Sequence, residues 1–198
     1  MLAYLFWHQR RPGTSPREYE SALRKFHGIL AQAHPVGYLG SSTLRFDALP
    51  FMGSIETYED AYYVSGFGAL GTLNQRAVEG VSKAPHDKIA DRSLHGKGGL
   101  YRLLGGHPTS PLRSRVIWGS KRTGRTYAEL REAVDAHGVP QGSSLWVREL
   151  GLGPAEDLAF RGSAQARMPA WLEELMVPEL EAVGSRVVAR EVRPGSRQ

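Results

Sequence analysis

An internal repeat constrains the fold of this chain more than any other feature of its sequence. Short matching segments recur in the same order in both halves, and those nearest the start of each half share one offset of 111 residues. Because this period is much longer than that of solenoid repeats, it indicates duplication of a whole domain. The matches are Phe6-Trp7 with Ile117-Trp118, Arg10-Arg11 with Lys121-Arg122, Gly13 with Gly124, Ser15 with Thr126, Glu18 with Glu129, Ala22-Leu23 with Ala133-Val134, Gly40-Ser41-Ser42 with Gly142-Ser143-Ser144, and Glu59-Asp60 with Glu156-Asp157.

Each half is predicted to run strand, helix, strand, strand, helix, strand. Aromatic and β-branched residues dominate the opening strands, and the first helix of each half begins at a capping box, Ser15 with Glu18 and Thr126 with Glu129. The order is that of the ferredoxin-like split βαβ plan, an antiparallel sheet with helices on one face. The predicted strands are 2–9, 42–49, 61–65 and 99–104 in the first half, and 115–121, 144–150, 158–161 and 186–192 in the second.

The opening strands have apolar residues at both parities, for example Tyr4 and Phe6 against Leu5 and Trp7. Such a pattern indicates burial on both sides, which two antiparallel sheets packed face to face would provide within one chain. We therefore predict an α+β protein in which two ferredoxin-like halves, residues 1–107 and 112–198, form an intrachain dimeric α+β barrel. The Pro-containing segment 106–114 is the predicted linker.

The composition excludes several functional classes. The chain of 198 residues has no cysteine, so disulfides, thiolate metal sites and a cysteine nucleophile are excluded. The net charge of +5 is spread along the chain, no apolar run approaches the length of a membrane span, and residues 1–9 lack a basic leader and a cleavage site. We predict a soluble, cytoplasmic protein that binds neither nucleic acid nor membrane.

Segments of the first half resemble those of a known protein family. The segment Arg10-Arg11-Pro12-Gly13-Thr14-Ser15-Pro16-Arg17-Glu18-Tyr19, with Phe26-His27-Gly28-Ile29-Leu30 after it, resembles the opening of EthD-like proteins of the dimeric α+β barrel superfamily. The segment Asp60-Ala61-Tyr62-Tyr63 is also similar to EthD-like proteins. Ala84-Pro85-His86-Asp87 resembles the Pro-x-His segment of stress-responsive α/β barrel (Dabb) proteins.

The resemblance implies a small-molecule pocket without specifying its chemistry, since the superfamily includes cofactor-free monooxygenases, cyclases, isomerases, aldoxime dehydratases and haem peroxidases. It implies an acid/base role for the histidine of the Pro-x-His segment, here His86, and it matches His27 to the EthD-like helix histidine. The second half has Gly138 where a helix histidine would stand, so a single site is expected.

Three histidines are the candidate catalytic residues, His8, His27 and His86, because imidazole exchanges protons near neutral pH. His8 shares strand parity with Tyr4 and Phe6, and His86 lies in an insertion, residues 80–98, that the second half lacks. Adjacent helix residues do not face each other, so a carboxylate orienting His86 is expected from somewhere other than Asp87. The alternative for each histidine is a satisfied structural role.

Aromatic residues and two arginines are the candidate ligand contacts. They are Trp7, Phe26, Tyr62 and Tyr63 as cavity liners and Arg45 and Arg102 as partners for an anionic group. Ordinary core packing is the alternative for the aromatic residues.

No metal or nucleotide cofactor is expected, because the sequence has no His-x-His, no HExxH and no Gly-rich phosphate loop. A haem site needs only one axial histidine, and His137, expected on the apolar stripe of its helix, is the candidate in the second half. The sequence thus favours a cofactor-independent cyclase, isomerase or monooxygenase acting on a small apolar molecule. A non-catalytic binding or structural protein is the alternative, and pairing of two whole chains into a homodimer stays open.

Overall fold

In the part of the chain that the structure describes, eight antiparallel strands form one closed barrel. The structure, a computed structural model, describes residues 1–108, 111–151 and 156–192, apart from the side chain of residue 95. The strands are β1 (Leu2–Arg10), β2 (Tyr38–Leu49), β3 (Ile55–Val64), β4 (Ser93–Gly106), β5 (Arg113–Lys121), β6 (Ser144–Gly151), β7 (Leu158–Ser163) and β8 (Met176–Ala189). They follow the order β1-β3-β2-β8-β5-β7-β6-β4 around the barrel.

Between these strands, the described residues form five α-helices: α1 (Pro16–Ala33), α2 (Phe67–Val78), α3 (Lys83–Ala90), α4 (Tyr127–His137) and α5 (Ala170–Glu173). The predicted capping boxes start α1 and α4, since Ser15 and Thr126 each accept a hydrogen bond from the backbone of the glutamate three residues later. Among the helices that the structure describes, none combines the length and apolar character needed to span a bilayer.

The α+β class is confirmed, but the sheets do not remain two separate layers. Strand β2 pairs with β8, and β4 pairs with β6, so strands of the first and second halves of the chain are joined at two seams. Closing the sheet in this way removes the exposed strand edges that two stacked sheets would retain.

The barrel interior explains why the opening strands are apolar at both parities. Ala3, Leu5 and Trp7 of β1 point into the barrel, where they pack with Trp118 and Trp146. Alternate residues of the same strand point outward, toward the helices. Each face of β1 therefore meets a different buried environment.

The second half departs most from the predicted elements. Its second helix, α5, has only four residues, and β8 begins at Met176, ten residues before the predicted closing strand. The outer face of this half is filled by packed side chains, including Ile117, Leu130 and Phe160. Here α4 packs directly on the sheet.

Candidate active site

A cavity of about 780 Å³ lies between the outer face of the first-half strands and helices α1, α2 and α3. Its strand side carries polar groups, and its helix side is mostly apolar. Among the described residues that line it, none is Lys or Arg. The lining residues are Tyr4, Phe6, His8, Asp60, Tyr62, Ser93, Leu94 and Gly96 from strands β1, β3 and β4, Phe26 and Leu30 from α1, Leu70, Gly71, Leu73, Asn74, Ala77 and Val78 from α2, and His86, Ile89 and Ala90 from α3.

Strand alternation places the polar groups on one surface. Tyr4, Phe6 and His8 point outward from β1, and Asp60 lies directly opposite Phe6 in the register of β1 with β3. A side chain at Gly96 of β4 would put its Cβ 2.4 Å from the ring of Phe6. The absence of a side chain at Gly96 therefore makes room for the aromatic floor of the cavity.

Asp60 is the centre of the polar cluster. Its Oδ1 accepts a hydrogen bond from Thr43 Oγ1 at 2.5 Å, and its Oδ2 accepts one from the hydroxyl of Tyr62 at 3.1 Å. His27 Nε2 lies 3.3 Å from Oδ1, and His8 Nε2 lies 3.2 Å from Oδ2. Each carboxylate oxygen thus has a hydroxyl and an imidazole beside it.

The ionised form of Asp60 is strongly favoured. Burial raises the pKa of this carboxyl, but the electrostatic attraction of His27 and His8 beside it outweighs that effect and holds its pKa well below the ordinary range. The pKa of the Tyr62 hydroxyl shifts in the opposite direction, because burial and the neighbouring carboxylate raise it well above the usual value. Tyr62 therefore remains a hydroxyl donor to a buried anion.

His8 is the histidine that lies both beside Asp60 and at the cavity. The residue is 1% exposed, and its Nδ1 lies 2.6 Å from the hydroxyl of Tyr19. Its Nε2 is at ion-pair distance from Asp60 but lacks an aligned hydrogen bond. The ring stacks on Tyr58 with centroids 5.9 Å apart. These contacts fix the plane of the imidazole, with Nδ1 against Tyr19 and Nε2 facing the carboxylate of Asp60.

His27 lies behind Asp60 and does not line the cavity. It is fully buried, with Nδ1 2.8 Å from Ser41 Oγ, and its ring stacks on Tyr62 at 5.0 Å. Ser41 in turn accepts a hydrogen bond from the hydroxyl of Tyr38 at 2.7 Å. His27 therefore supports the carboxylate from the side away from the cavity.

His86 of α3 lines the opposite wall, with its ring edge-to-face against Phe26 at 5.9 Å. Asp87 Oδ1 lies 3.3 Å from His86 Nδ1. The expectation that Asp87 could not reach His86 is therefore wrong: although their helix positions diverge, the two side chains bend together at this partly exposed site.

The structure places the remaining predicted residues elsewhere. Trp7 and Tyr63 belong to the core inside the barrel, on the face of the sheet away from the cavity. Arg45 pairs with Glu20 at 3.0 Å, and Arg102 pairs with Glu149 at 2.6 Å. Neither arginine lines the cavity. Of the predicted site residues, the structure places His8, His86, Phe26 and Tyr62 in the cavity lining, and His27 lies behind Asp60.

The haem candidate, His137, is exposed at the end of α4 rather than packed in the core, and it stacks on Trp171 at 6.2 Å. Within the described part of the chain, no three His, Asp or Glu side chains are grouped so as to hold a metal ion.

Asp60 and Tyr19 are the site residues that sequence reasoning missed. A signal was present for Asp60, since it shares strand parity with Tyr58 and Tyr62, which made it the charged member of an aromatic strand face. For Tyr19 the helical spacing indicated only a buried residue. Its contact with His8 depends on how α1 crosses β1, which no local pattern encodes.

No protein-family profile and no curated protein matches the chain, whereas several solved structures do. A "putative monooxygenase" from Lactobacillus acidophilus NCFM has a TM-score of 0.67 at 11% identity, covering 96% of this chain and 96% of that one. One from Fusobacterium nucleatum has a TM-score of 0.65 at 9% identity, covering 96% and 94%. An anthrone oxidase-like protein has a TM-score of 0.54 at 12% identity, covering 96% and 93%. At these identities the likeness shows a shared α+β barrel fold.

Proposed function

We propose that this protein is a cofactor-independent acid/base enzyme that moves a proton on a small, neutral, largely apolar organic molecule. The observation that carries the proposal is His8 Nε2, 3.2 Å from Asp60 at the floor of a cavity of about 780 Å³. A titratable pair in an apolar cleft of ligand-binding size is the arrangement expected of an active site.

The site favours a substrate without a negative charge. The described lining residues include no Lys or Arg, and the floor contains a carboxylate that stays ionised. An anionic group placed there would be desolvated without a compensating cation. A neutral molecule with an acidic C–H or O–H bond fits better, because its apolar body would meet the walls formed by Phe26, Leu30 and Leu73.

The proposed chemistry begins with one proton transfer. The His8–Asp60 pair accepts the substrate proton while the electron pair of the broken C–H bond remains on the substrate as an enolate or carbanion. Asp60 stabilises the imidazolium that forms, and the surrounding apolar side chains exclude water. Return of the proton to another substrate atom completes an isomerisation or cyclisation. In the monooxygenase variant, the carbanion reacts with dioxygen as co-substrate, one oxygen atom becomes a carbonyl oxygen at that carbon, and the other leaves as water with the two hydrogens of the original methylene.

The three histidines have different proposed roles. His8 carries the proton, His27 positions Asp60 from behind, and His86 contacts the substrate from the helix wall. This division follows their placement, since only His8 both borders the cavity and neighbours Asp60.

The test is solvent exchange of a neutral carbon acid. In D₂O, the wild-type protein is expected to accelerate deuterium incorporation next to the carbonyl of 2-tetralone, followed by proton NMR. H8Q should lower the rate by about 10²-fold or more, and H27Q and H86Q should retain part of it. H107Q, which alters an exposed histidine, is the matched control.

Exchange in H8Q equal to that of the wild type would overturn the assignment of His8. Binding of 2-tetralone without any acceleration of exchange would instead make this a binding protein of the same fold.

We also infer that the two halves, residues 1–107 and 112–198, are copies of one βαββαβ unit, and that only the first carries the site. Support comes from the strand order, in which β4-β1-β3-β2 and β8-β5-β7-β6 repeat one arrangement. The positions corresponding to the site residues are glycine or apolar in the second half, which keeps that half packed. They are Gly119 for His8, Leu130 for Tyr19, Gly138 for His27 and Phe160 for Asp60.

A further inference from the structure

The strand side of the cavity is covered by a layer of nearly parallel rings. The rings of Tyr4 and Phe6 lie 6.4 Å apart at an angle of 22°, and those of Phe6 and His8 lie 5.4 Å apart at 27°. Tyr4 also stacks on Tyr62, 6.3 Å away at 24°. A ligand lying on this layer contacts an aromatic surface that extends from Tyr4 to His8.

A glycine of β4 determines where the hydroxyl of Tyr4 lies. Gly98 stands opposite Phe6 in the register of β4 with β1, and a Cβ at Gly98 would be 3.0 Å from the Tyr4 oxygen. The hydroxyl therefore lies over β4. Asp60 stands opposite Phe6 on β3, so the hydroxyl and the carboxylate are at the same level of the sheet, one on each side of β1.

The Tyr4 hydroxyl is an uncommitted donor in the cavity. Tyr4 lines the cavity, and its hydroxyl makes no hydrogen bond to any residue that the structure describes. The hydroxyl of Tyr62, in contrast, donates to Asp60. The hydroxyl of Ser93 donates to the backbone carbonyl of Ile89. Among the described hydroxyl groups of the strand floor, that of Tyr4 is thus the one available to a ligand.

The proposed proton transfer creates a negative charge that such a donor would stabilise. When the electron pair of the C–H bond remains on a carbonyl compound, the carbonyl oxygen becomes an enolate oxygen. The described lining residues include no Lys or Arg, so a neutral group must stabilise this oxygen. A preorganised hydrogen-bond donor in a site that excludes water does so effectively.

We propose that Tyr4 binds the substrate oxygen, and that the substrate is a carbonyl compound deprotonated at the carbon next to its carbonyl. The inference rests on the proposed function, because the acidic carbon faces the His8–Asp60 pair while the oxygen faces Tyr4. The two reacting atoms are two bonds apart. With contacts of about 3.5 Å at the carbon and about 2.7 Å at the oxygen, this fragment fits between side chains that rise from β3 and β4, whose backbones are about 10 Å apart.

Tyr4 acts as a hydrogen-bond donor and not as an acid. Burial, and after it the negative charge of Asp60, raise the pKa of the Tyr4 hydroxyl above its ordinary value. The hydroxyl therefore keeps its proton while the enolate exists. When the His8–Asp60 pair returns the substrate proton to carbon, the electron pair re-forms the C–H bond and the oxygen becomes a carbonyl oxygen again.

The hydrogen bond can be read in the bound ketone without turnover. In infrared difference spectra of 2-tetralone labelled with ¹³C at its carbonyl, we expect the C=O stretch at lower frequency in the wild-type complex than in hexane. In Y4F the band should move back toward its position in hexane. Y101F, which deletes a tyrosine hydroxyl buried inside the barrel, and N74A, which removes an amide from the helix side of the cavity, should keep the wild-type band.

Affinity and rate should change in the same direction as the band. By isothermal titration calorimetry, Y4F should bind 2-tetralone about fivefold more weakly than the wild type. It should bind tetralin, the corresponding hydrocarbon without the carbonyl, equally well. Deuterium exchange into 2-tetralone should fall about 10²-fold in Y4F, which exceeds the loss of affinity because the hydrogen bond strengthens as charge develops on the oxygen.

A wild-type band at the position found in hexane, a band that is unchanged in Y4F, or a band that moves in N74A rather than in Y4F would overturn the proposal. Exchange that is unaffected by H8Q would overturn the assignment of His8 instead. Because the infrared band is measured in the bound ketone without any reaction, the two failures are distinguishable.

Discussion

At the scale of single residues, the site depends on a buried carboxylate surrounded by donors. The alternation of side chains along a strand was enough to place His8 on the same face as Tyr4 and Phe6, because it depends only on the positions of these residues in one strand. The contacts of Asp60 could not be anticipated in the same way. They join residues of β1, β2, β3 and α1, and they depend on the register between strands.

The ionisation of Asp60 can be measured directly through its ¹³Cγ chemical shift. We expect the wild-type carboxyl to remain ionised well below its ordinary pKa of 3.8. Its contribution to stability is therefore complete above about pH 4 and is lost as the pH falls toward its native pKa. In H8Q and in H27Q the pKa should rise, because burial is then opposed by one imidazole only.

An H8Q variant whose Asp60 titrates as in the wild type would show that the imidazole does not stabilise the carboxylate. H107Q is the control for the general effect of replacing a histidine.

At the scale of secondary-structure elements, the cavity exists because the first half has three helices where the second half packs one directly on its sheet. The insertion at residues 80–98 was recognisable from the sequence because the second half has no counterpart, and α3 now accounts for eight of its residues. Whether the inserted residues would cover a cavity or fill it depended on their packing against α1 and α2. Local periodicity does not encode that packing.

The size of the cavity should depend on Gly96. In G96A the new Cβ would meet the Phe6 ring at 2.4 Å, so the ring must move toward the cavity. We expect binding of the neutral fluorophore N-phenyl-1-naphthylamine to weaken about tenfold, a loss of roughly 1.4 kcal/mol. G68A in α2, where a Cβ would meet nothing within 4 Å, should bind the fluorophore as the wild type does. Equal affinities in both variants would mean that Phe6 does not shape the binding site.

At the scale of the whole molecule, the predicted repeat anticipated eight strands, and the structure describes eight, but it did not anticipate how they close. Under the proposed duplication, the strand registers pair Asp60 with Phe160, because Asp60 lies opposite Phe6 and Phe160 lies opposite Ile117. The sequence match of Glu59-Asp60 with Glu156-Asp157 gives a position three residues earlier. Acidic pairs recur by chance in a short sequence, and only strand register decides between such alignments. The pairing of β2 with β8 and of β4 with β6 could not be predicted either, because no local sequence pattern shows which strand edges pair.

One charge pair inside the barrel joins the halves. Arg161 Nη2 of β7 lies 2.5 Å from both carboxylate oxygens of Glu59 in β3, and Trp7 Nε1 donates to the same carboxylate at 2.8 Å. E59Q would leave Arg161 buried without a counter-charge, so urea unfolding should show a loss of about 3–5 kcal/mol. E181Q, which breaks the more exposed pair with Arg115, should cost no more than about 1 kcal/mol. Similar losses in both variants would show that the interior pair is no more important than a surface one.

The central claim, that His8 beside Asp60 is the proton-transfer group of an apolar cavity, is tested most directly by a crystal structure of the protein with 2-tetralone bound. We predict the ketone between the strand floor and α1–α3, with the carbon next to its carbonyl within about 3.5 Å of the His8–Asp60 pair. A ketone bound outside this cavity, or one whose acidic carbon faces away from His8, would contradict the account.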